Sequence, residues 1–408
     1  MKRRMKMKKR NLTFAILFAF CMLLAPIPCV LAERGVTDRE IRLGTWGPLT
    51  GPAAPWGTIS RGTKCYFDMI NAEGGIHGRK INFFLRDDGY MPPKTKAIVK
   101  ELVEDKHVFG FASGVGTATG MAVKRYIHHK KIPWVGPASG SSHWAHPPTK
   151  YLFSTYLLYC DEAAILAHYA ATKLGKKRIA FVYQNDDFGK EGTIGAELAL
   201  EKLGLKPVAA TPVEIMDSDL SSHCIKLKEA NPDCVIMWLA PKHGAIMLQT
   251  AAKMGFKPQW MSSSVLSDTD IMLKISKGLF KDVIFTTIGD LPDSQHPLMK
   301  KYRKAHAMFA PKDRWGIFFY AGFYFVEPMV EALKRCGRDL TVENFVKAME
   351  GLKDFQGIGG KINFGPNQRQ GTRNCFLAKS GEGGKTERLS DWMTADLDIK
   401  KVLKRLGR

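Results

Sequence analysis

The sequence predicts an α/β protein of two similar lobes, each a parallel sheet covered by helices on both faces. Three observations point there. Short β-rich apolar runs alternate with amphipathic helical stretches from Ile41 onward, and parallel strands need such helical crossovers between them. The alternation comes as two successive series of comparable size, the second starting near Ala163. The 408-residue chain also exceeds the roughly 250–300 residues that a single core usually organises. No low-complexity linker separates the series, so the lobes are expected to meet at packed chain crossings rather than hang as domains on a string.

The chain begins with a basic stretch, Met1 to Arg10, followed by an apolar run from Leu12 to Leu24, Pro26 and Pro28, and Val30-Leu31-Ala32. This is the three-part pattern of a secretory leader, and its apolar run is shorter than the roughly 20 residues of a spanning helix. Residues 1–32 are therefore expected to be removed after Ala32, with export to the periplasm. An uncleaved anchor is the alternative, and lipidation at Cys21 or Cys29 lacks the small residues that should precede it.

The first series reads as strand Ile41–Trp46, helix Ile59–Ala72 stopped by Gly74-Gly75, strand Lys80–Leu85 and helix Lys94–Asp105, whose Ile98, Leu102 and Val103 form an apolar face. Strand Val108–Phe111, helix Thr117–His129 and strand Pro133–Val135 continue it. The second series reads as helix Ala163–Leu174, strand Arg178–Tyr183, helix Gly192–Leu203 and strand Pro207–Thr211. Helix Ser221–Ala230, stopped by Asn231-Pro232, and strand Cys234–Leu239 follow. A helical stretch over Phe318–Arg335 and a strand at Ile362-Asn363-Phe364 should complete the lobes.

Seven of the 61 Lys and Arg residues lie in the leader, leaving 54 against 39 Asp and Glu, a balance of about +15. These cations are scattered singly or in pairs, as at Lys226 and Lys228, instead of gathered with aromatics. They read as a solvated surface rather than a nucleic-acid face. Six cysteines lie beyond the leader: Cys65, Cys160, Cys224, Cys234, Cys336 and Cys375. They allow about 15 pairings, of which the sequence selects none, and no Cys-x-x-Cys spacing marks a zinc or redox site.

Gly47-Pro-Leu-Thr-Gly-Pro-Ala-Ala-Pro-Trp-Gly57 follows the first strand, where ligands sit in open α/β sheets. Together with Asn71-Ala-Glu-Gly-Gly-Ile-His-Gly-Arg79, Asp87-Asp88, Gly136-Pro-Ala-Ser139 and Tyr183-Gln-Asn-Asp-Asp-Phe-Gly-Lys190, the chain resembles the leucine/isoleucine/valine-binding protein family, the type I periplasmic binding proteins of ABC importers. The resemblance implies two Rossmann-like lobes with a three-crossover hinge: residues 33–155 plus 287–358 as lobe I and residues 156–286 plus 359–408 as lobe II. It implies capture of a small molecule (an amino acid, amide, or organic or aromatic acid) and delivery to a membrane permease, by a monomer with no cofactor, metal or nucleic acid.

On the matching positions, the resemblance assigns the ligand's carboxylate to Ser113, Gly114, Ala138, Ser139 and Gly140, and its walls to Trp56, Phe188 and Phe318. Where the family presents hydroxyl side chains, Gly114 and Gly140 stand here, so the clamp should lean on main chain or on neighbouring serines. The acid that meets an amino acid's ammonium falls on Ser264, and its aromatic hydroxyl partner near Ala240. A buried ammonium without a carboxylate costs several kcal/mol, so the expected ligand carries a polar head and no obligatory ammonium, unless Asp186, Asp187, Asp268 or Asp270 reaches in. Lys242 and His243 are candidates for favouring an anion, against the reading of a solvated pair.

Gly114, Gly116 and Gly120 do not make a dinucleotide fingerprint. His128-His129 and the His143, His146 pair lack companions at ligand spacing, and no Gly-x-Ser-x-Gly elbow marks a hydrolase. The rival functions are a ligand-sensing receptor subunit using the same clamp and a secreted enzyme on the same scaffold.

Overall fold

The computed structural model describes residues 33–408, so the leader lies outside the described residues. Strands β1 (Glu40–Gly47), β2 (Lys80–Asp87), β3 (Gly110–Ala112), β4 (Trp134–Val135) and β5 (Leu152–Phe153) form one parallel sheet in the order β2-β1-β3-β4-β5. A second sheet is built from β6 (Ile179–Gln184), β7 (Ala209–Val213), β8 (Cys234–Trp238), β9 (Gln259–Ser262) and β10 (Ile284–Thr287), parallel in the order β10-β9-β8-β6-β7. Strands β11 (Asn374–Ser380), β12 (Thr386–Arg388) and β13 (Met393–Thr394) extend it antiparallel from β10. All five side chains of β8, Cys-Val-Ile-Met-Trp, are buried, as expected for a parallel strand covered on both faces.

Strand order reverses between β1 and β3 in the first sheet and between β6 and β8 in the second. At such a switch point the loops leaving neighbouring strands part and open a crevice at the carboxyl ends. The loop after β1 carries Trp56, the loop after β3 carries Ser113 to Gly116, and the turn after β6 carries Phe188. The chain passes between the sheets three times: after β5, after β10, and between helix Val342–Glu350 and β11. Two of these connections pair with each other at Gly289 and Gly359.

Helices Pro297–Phe309 and Ile317–Tyr324 pack on helix Gly57–Ala72 beside the first sheet. A β-carbon on Gly62 would fall 1.8 Å from the Phe319 carbonyl oxygen, and one on Gly322 would fall 2.1 Å from that of Ile59, so bare glycines let the two helices touch backbone to backbone. Thr63 Oγ1 locks the contact by donating to Gly322 O at 3.0 Å.

Several expectations are corrected. The Phe318–Arg335 stretch is two helices, Ile317–Tyr324 and Glu327–Arg335, because Pro328 cannot continue a helical hydrogen-bond ladder and sits in the first turn of the second. Ile362 makes an isolated bridge to Phe355 instead of a sheet strand. The helix expected from Gly192 starts at Asp187, with Asp186 Oδ1 accepting from Gly189 N at 3.3 Å. The sequence selects no cysteine pairing, and among the described residues all six cysteines are free, five of them buried.

Candidate functional site

Between the two switch points lies a cavity. Trp56, Ala138, Phe188, Ser264 and Phe318, all singled out from the sequence, line it. Local structure explains each placement. Trp56 ends a short 3-10 turn, Ala54–Trp56, and leads into helix Gly57–Ala72. Phe188 and Phe318 each sit in the first turn of a helix, Asp187–Glu201 and Ile317–Tyr324, and Ser264 opens the turn after β9.

The rings enclose the space from both sheets. Trp56 and Phe188 meet edge to face with centroids 5.9 Å apart, and Tyr159 packs on Phe188 at 5.1 Å. The Trp56 indole N–H donates to the Val265 carbonyl at 2.8 Å, joining the loop after β1 to the turn after β9. Such ring contacts contribute about 0.5–1.5 kcal/mol each beyond their burial. Polar groups gather at one side: Tyr156 Oη and Ser264 Oγ are 2.6 Å apart, and Ser267 Oγ donates to Ser264 O at 2.7 Å.

Behind Ser264, Glu162 Oε1 accepts from Ser264 N at 2.9 Å and from Thr286 Oγ1 at 2.6 Å. Burial pushes the Glu162 carboxyl above its usual range, because the low-dielectric surroundings disfavour the charged form. Among the described residues no lining side chain is charged.

The remaining candidates, Ser113, Gly114, Ser139 and Gly140, are buried next to the loops that reach the cavity and are not in its lining. Ser113 Oγ pairs with Thr63 Oγ1 at 2.7 Å, and Ser139 Oγ with Thr117 Oγ1 at 2.8 Å, so both hydroxyls are engaged within the fold. Gly114 is required by the Trp46 ring, which a β-carbon would meet at 2.7 Å, and Gly140 by the Leu157 carbonyl at 2.3 Å. No carboxylate enters the cavity lining. Asp268 Oδ2 accepts from Phe318 N at 2.9 Å, Asp270 pairs with Arg314, Asp186 caps its own helix, and Asp187 meets His143. His243 is buried with Nε2 on the Asp217 carbonyl, and neither it nor Lys242 lines the space.

Sequence reading missed Tyr90, Tyr156, Tyr159, Val265, Ile288 and Phe325 in the lining. A signal for two of these was present: Ser154-Thr-Tyr-Leu-Leu-Tyr159 is an aromatic-rich run at the first crossing, outside any periodic element.

Two sheets facing across a ring-lined cavity, with helices starting at its wall, define a solute-binding clamp. A family model described as periplasmic binding protein matches residues 40–385, and the chain belongs to that family, in its leucine/isoleucine/valine-binding, type I branch. It is a family of binding proteins, not enzymes. The chain is 24% identical over 329 residues to the Leu/Ile/Val-binding protein homolog 3 of Brucella melitensis, covering 80% of this chain and 87% of that one. Among solved structures, the substrate-binding protein of a fatty acid ABC transporter from Thermomonospora curvata is 25% identical with a TM-score of 0.81, covering 90% of this chain and 95% of that one. A branched chain amino acid ABC transporter protein from Thermus thermophilus with bound valine shares the fold at 19% identity and a TM-score of 0.80, covering 91% and 99%.

Proposed function

We propose that this protein is the extracytoplasmic, monomeric solute-binding component of an ABC importer, and that it carries a small carboxylate with an apolar or aromatic body and no ammonium to a membrane permease. The observation that carries this reading is the uncharged, aromatic lining of the cavity. A buried ammonium there would meet no carboxylate, at a cost of several kcal/mol.

A carboxylate has a favourable place. Gly116, at the amino end of helix Thr117–His129, lines the cavity, and that helix has no side-chain cap and no acid in its first turn. The partial positive charge of the end is thus open to an anion. Of the other helices starting at the cavity, Tyr159–Thr172 holds Asp161 and Glu162 in its first turn and Ile317–Tyr324 has Asp268 at Phe318 N, whereas Gly57–Ala72, like Thr117–His129, has neither cap nor acid. The relative from Thermomonospora curvata, named for fatty acids, supports a solute of this kind. Residues 33–155 with 287–358 and residues 156–286 with 359–408 act as the two lobes, and ligand touching both shifts the population toward closure.

A thermal-shift series on ligand-stripped protein tests this. Hexanoate, phenylacetate or a similar monocarboxylate should raise the melting temperature, since ligand at 100 times its Kd stabilises by about 2.7 kcal/mol, while leucine and valine should not. A larger shift with leucine or valine would overturn the ligand class and leave the clamp standing.

A further inference from the structure

Away from the aromatic cavity, a second cleft with about 870 Å³ of empty space lies where two of the chain crossings meet the antiparallel end of the second sheet. It is lined by Asp290 and by Gln356 to Lys361, next to the bridge between Gly289 and Gly359, and by Arg388 and Trp392. Trp392 is 39% exposed, unusual for so large an apolar ring.

The Arg388 guanidinium carbon lies 4.3 Å from the Phe376 ring centroid and 6.0 Å from that of Trp392, and the two rings meet edge to face at 5.1 Å. Arg388 Nε donates to the Ser390 carbonyl at 2.8 Å, and no carboxylate pairs with this arginine among the described residues. Lys361 has only a loose partner, Asp354 at 3.8 Å, with both side chains well exposed, a contact worth little in water. The one acid in the lining, Asp290, is engaged by Leu291 N and Ser294 Oγ.

An arginine seated over a ring and without an acid partner is available to a planar carboxylate, and an exposed indole beside it offers a stacking face. We propose that this cleft is a second binding site, separate from the aromatic cavity, for a small aromatic carboxylate whose ring lies on Trp392 and whose charge meets Arg388 and Lys361.

The test uses full-length protein labelled with 5-fluorotryptophan, whose eight tryptophans are read by fluorine NMR, with Trp392→Phe and Trp56→Phe assigning the two reporters. Benzoate should move the Trp392 resonance saturably in the millimolar range, benzamide should not, and Arg388→Gln should weaken the response by about tenfold. Lys361→Gln should weaken it less, and the Trp392 response should survive Trp56→Phe. The proposal fails if the Trp392 resonance does not move, if benzamide moves it equally, or if well-folded Arg388→Gln protein titrates like the parent. It also fails if the response disappears with Trp56→Phe, which would place benzoate in the aromatic cavity alone.

Discussion

On helix Asp187–Glu201, Phe188 and Glu191 stand less than one turn apart, and each joins the second sheet to the first by a different chemistry. Phe188 meets Trp56 and Tyr159 ring to ring, is 1% exposed, and has no charge beside it in the cavity lining. Glu191, equally buried, accepts from Ser141 Oγ at 2.6 Å and from Ser142 N at 2.7 Å, both in the loop after β4. Arg408 approaches it to 3.5 Å and donates to Ser142 Oγ, while Lys124 and His143 border the same loop. Burial pushes the Glu191 carboxyl up to about 7, against the opposing pull of the serine hydrogen bonds and Arg408. The ring contact does not titrate, whereas the carboxyl contact responds to pH.

The largest effect should come from breaking the apolar side. Phe188→Ala removes a ring from a closed wall and should cost about 3–5 kcal/mol in urea unfolding, equally at pH 5 and pH 8. A loss that changed with pH would show that the two contacts are not independent.

Breaking the polar side should cost less: Glu191→Ala leaves Ser141 Oγ and Ser142 N without their acceptor, for about 1–3 kcal/mol. Its pH dependence sharpens the contrast. Because the folded carboxyl titrates above its ordinary value of 4.5, its stabilising share is present below about pH 4.5 and is lost as pH rises through about 7. Asp161 and Glu327, raised by burial to about 6 and about 7, titrate in the same window. Parent protein should therefore be compared with Glu191→Gln, and the stability difference should fall with pH between those limits; a flat difference would refute the assignment.

The smallest effect belongs to His143 Nε2 and Asp187 Oδ2, 3.0 Å apart with the Asp187 side chain 56% exposed. Burial holds His143 below its usual range, so near neutral pH a neutral imidazole meets the carboxylate; Asp187→Asn should cost less than about 1 kcal/mol, and 1 M salt should change that difference little.

These contrasts mark what the sequence could tell. Alternating strands and helices were legible because short apolar runs alternate with amphipathic stretches, and Trp56 and Phe188 were assigned by the family resemblance, Trp56 also by its place in a turn. The helices Pro297–Phe309, Val342–Glu350 and Ile399–Arg405 and the strands β9 to β13 were not read from the sequence, being short or mixed in composition. Within the site, the destinations of Ser113 and Ser139 were hidden because their partners, Thr63 and Thr117, are set by packing between distant segments. Tyr156 and Tyr159 show in the sequence only as an aromatic-rich run at the first crossing, and the chain's return between sheets gives them a cavity to line.

The glycine contact between helices Gly57–Ala72 and Ile317–Tyr324 bears on how this clamp measures its cargo. Trp56 directly precedes the first helix and Phe318 lies in the second, so the backbone-to-backbone contact at Gly62 and Gly322 holds both rings at one fixed gauge. A solute of different thickness cannot spread them without separating the helices. If the cavity takes the proposed cargo, adjustment to a different solute falls to Phe188, Ser264 and Val265 before Trp56 or Phe318.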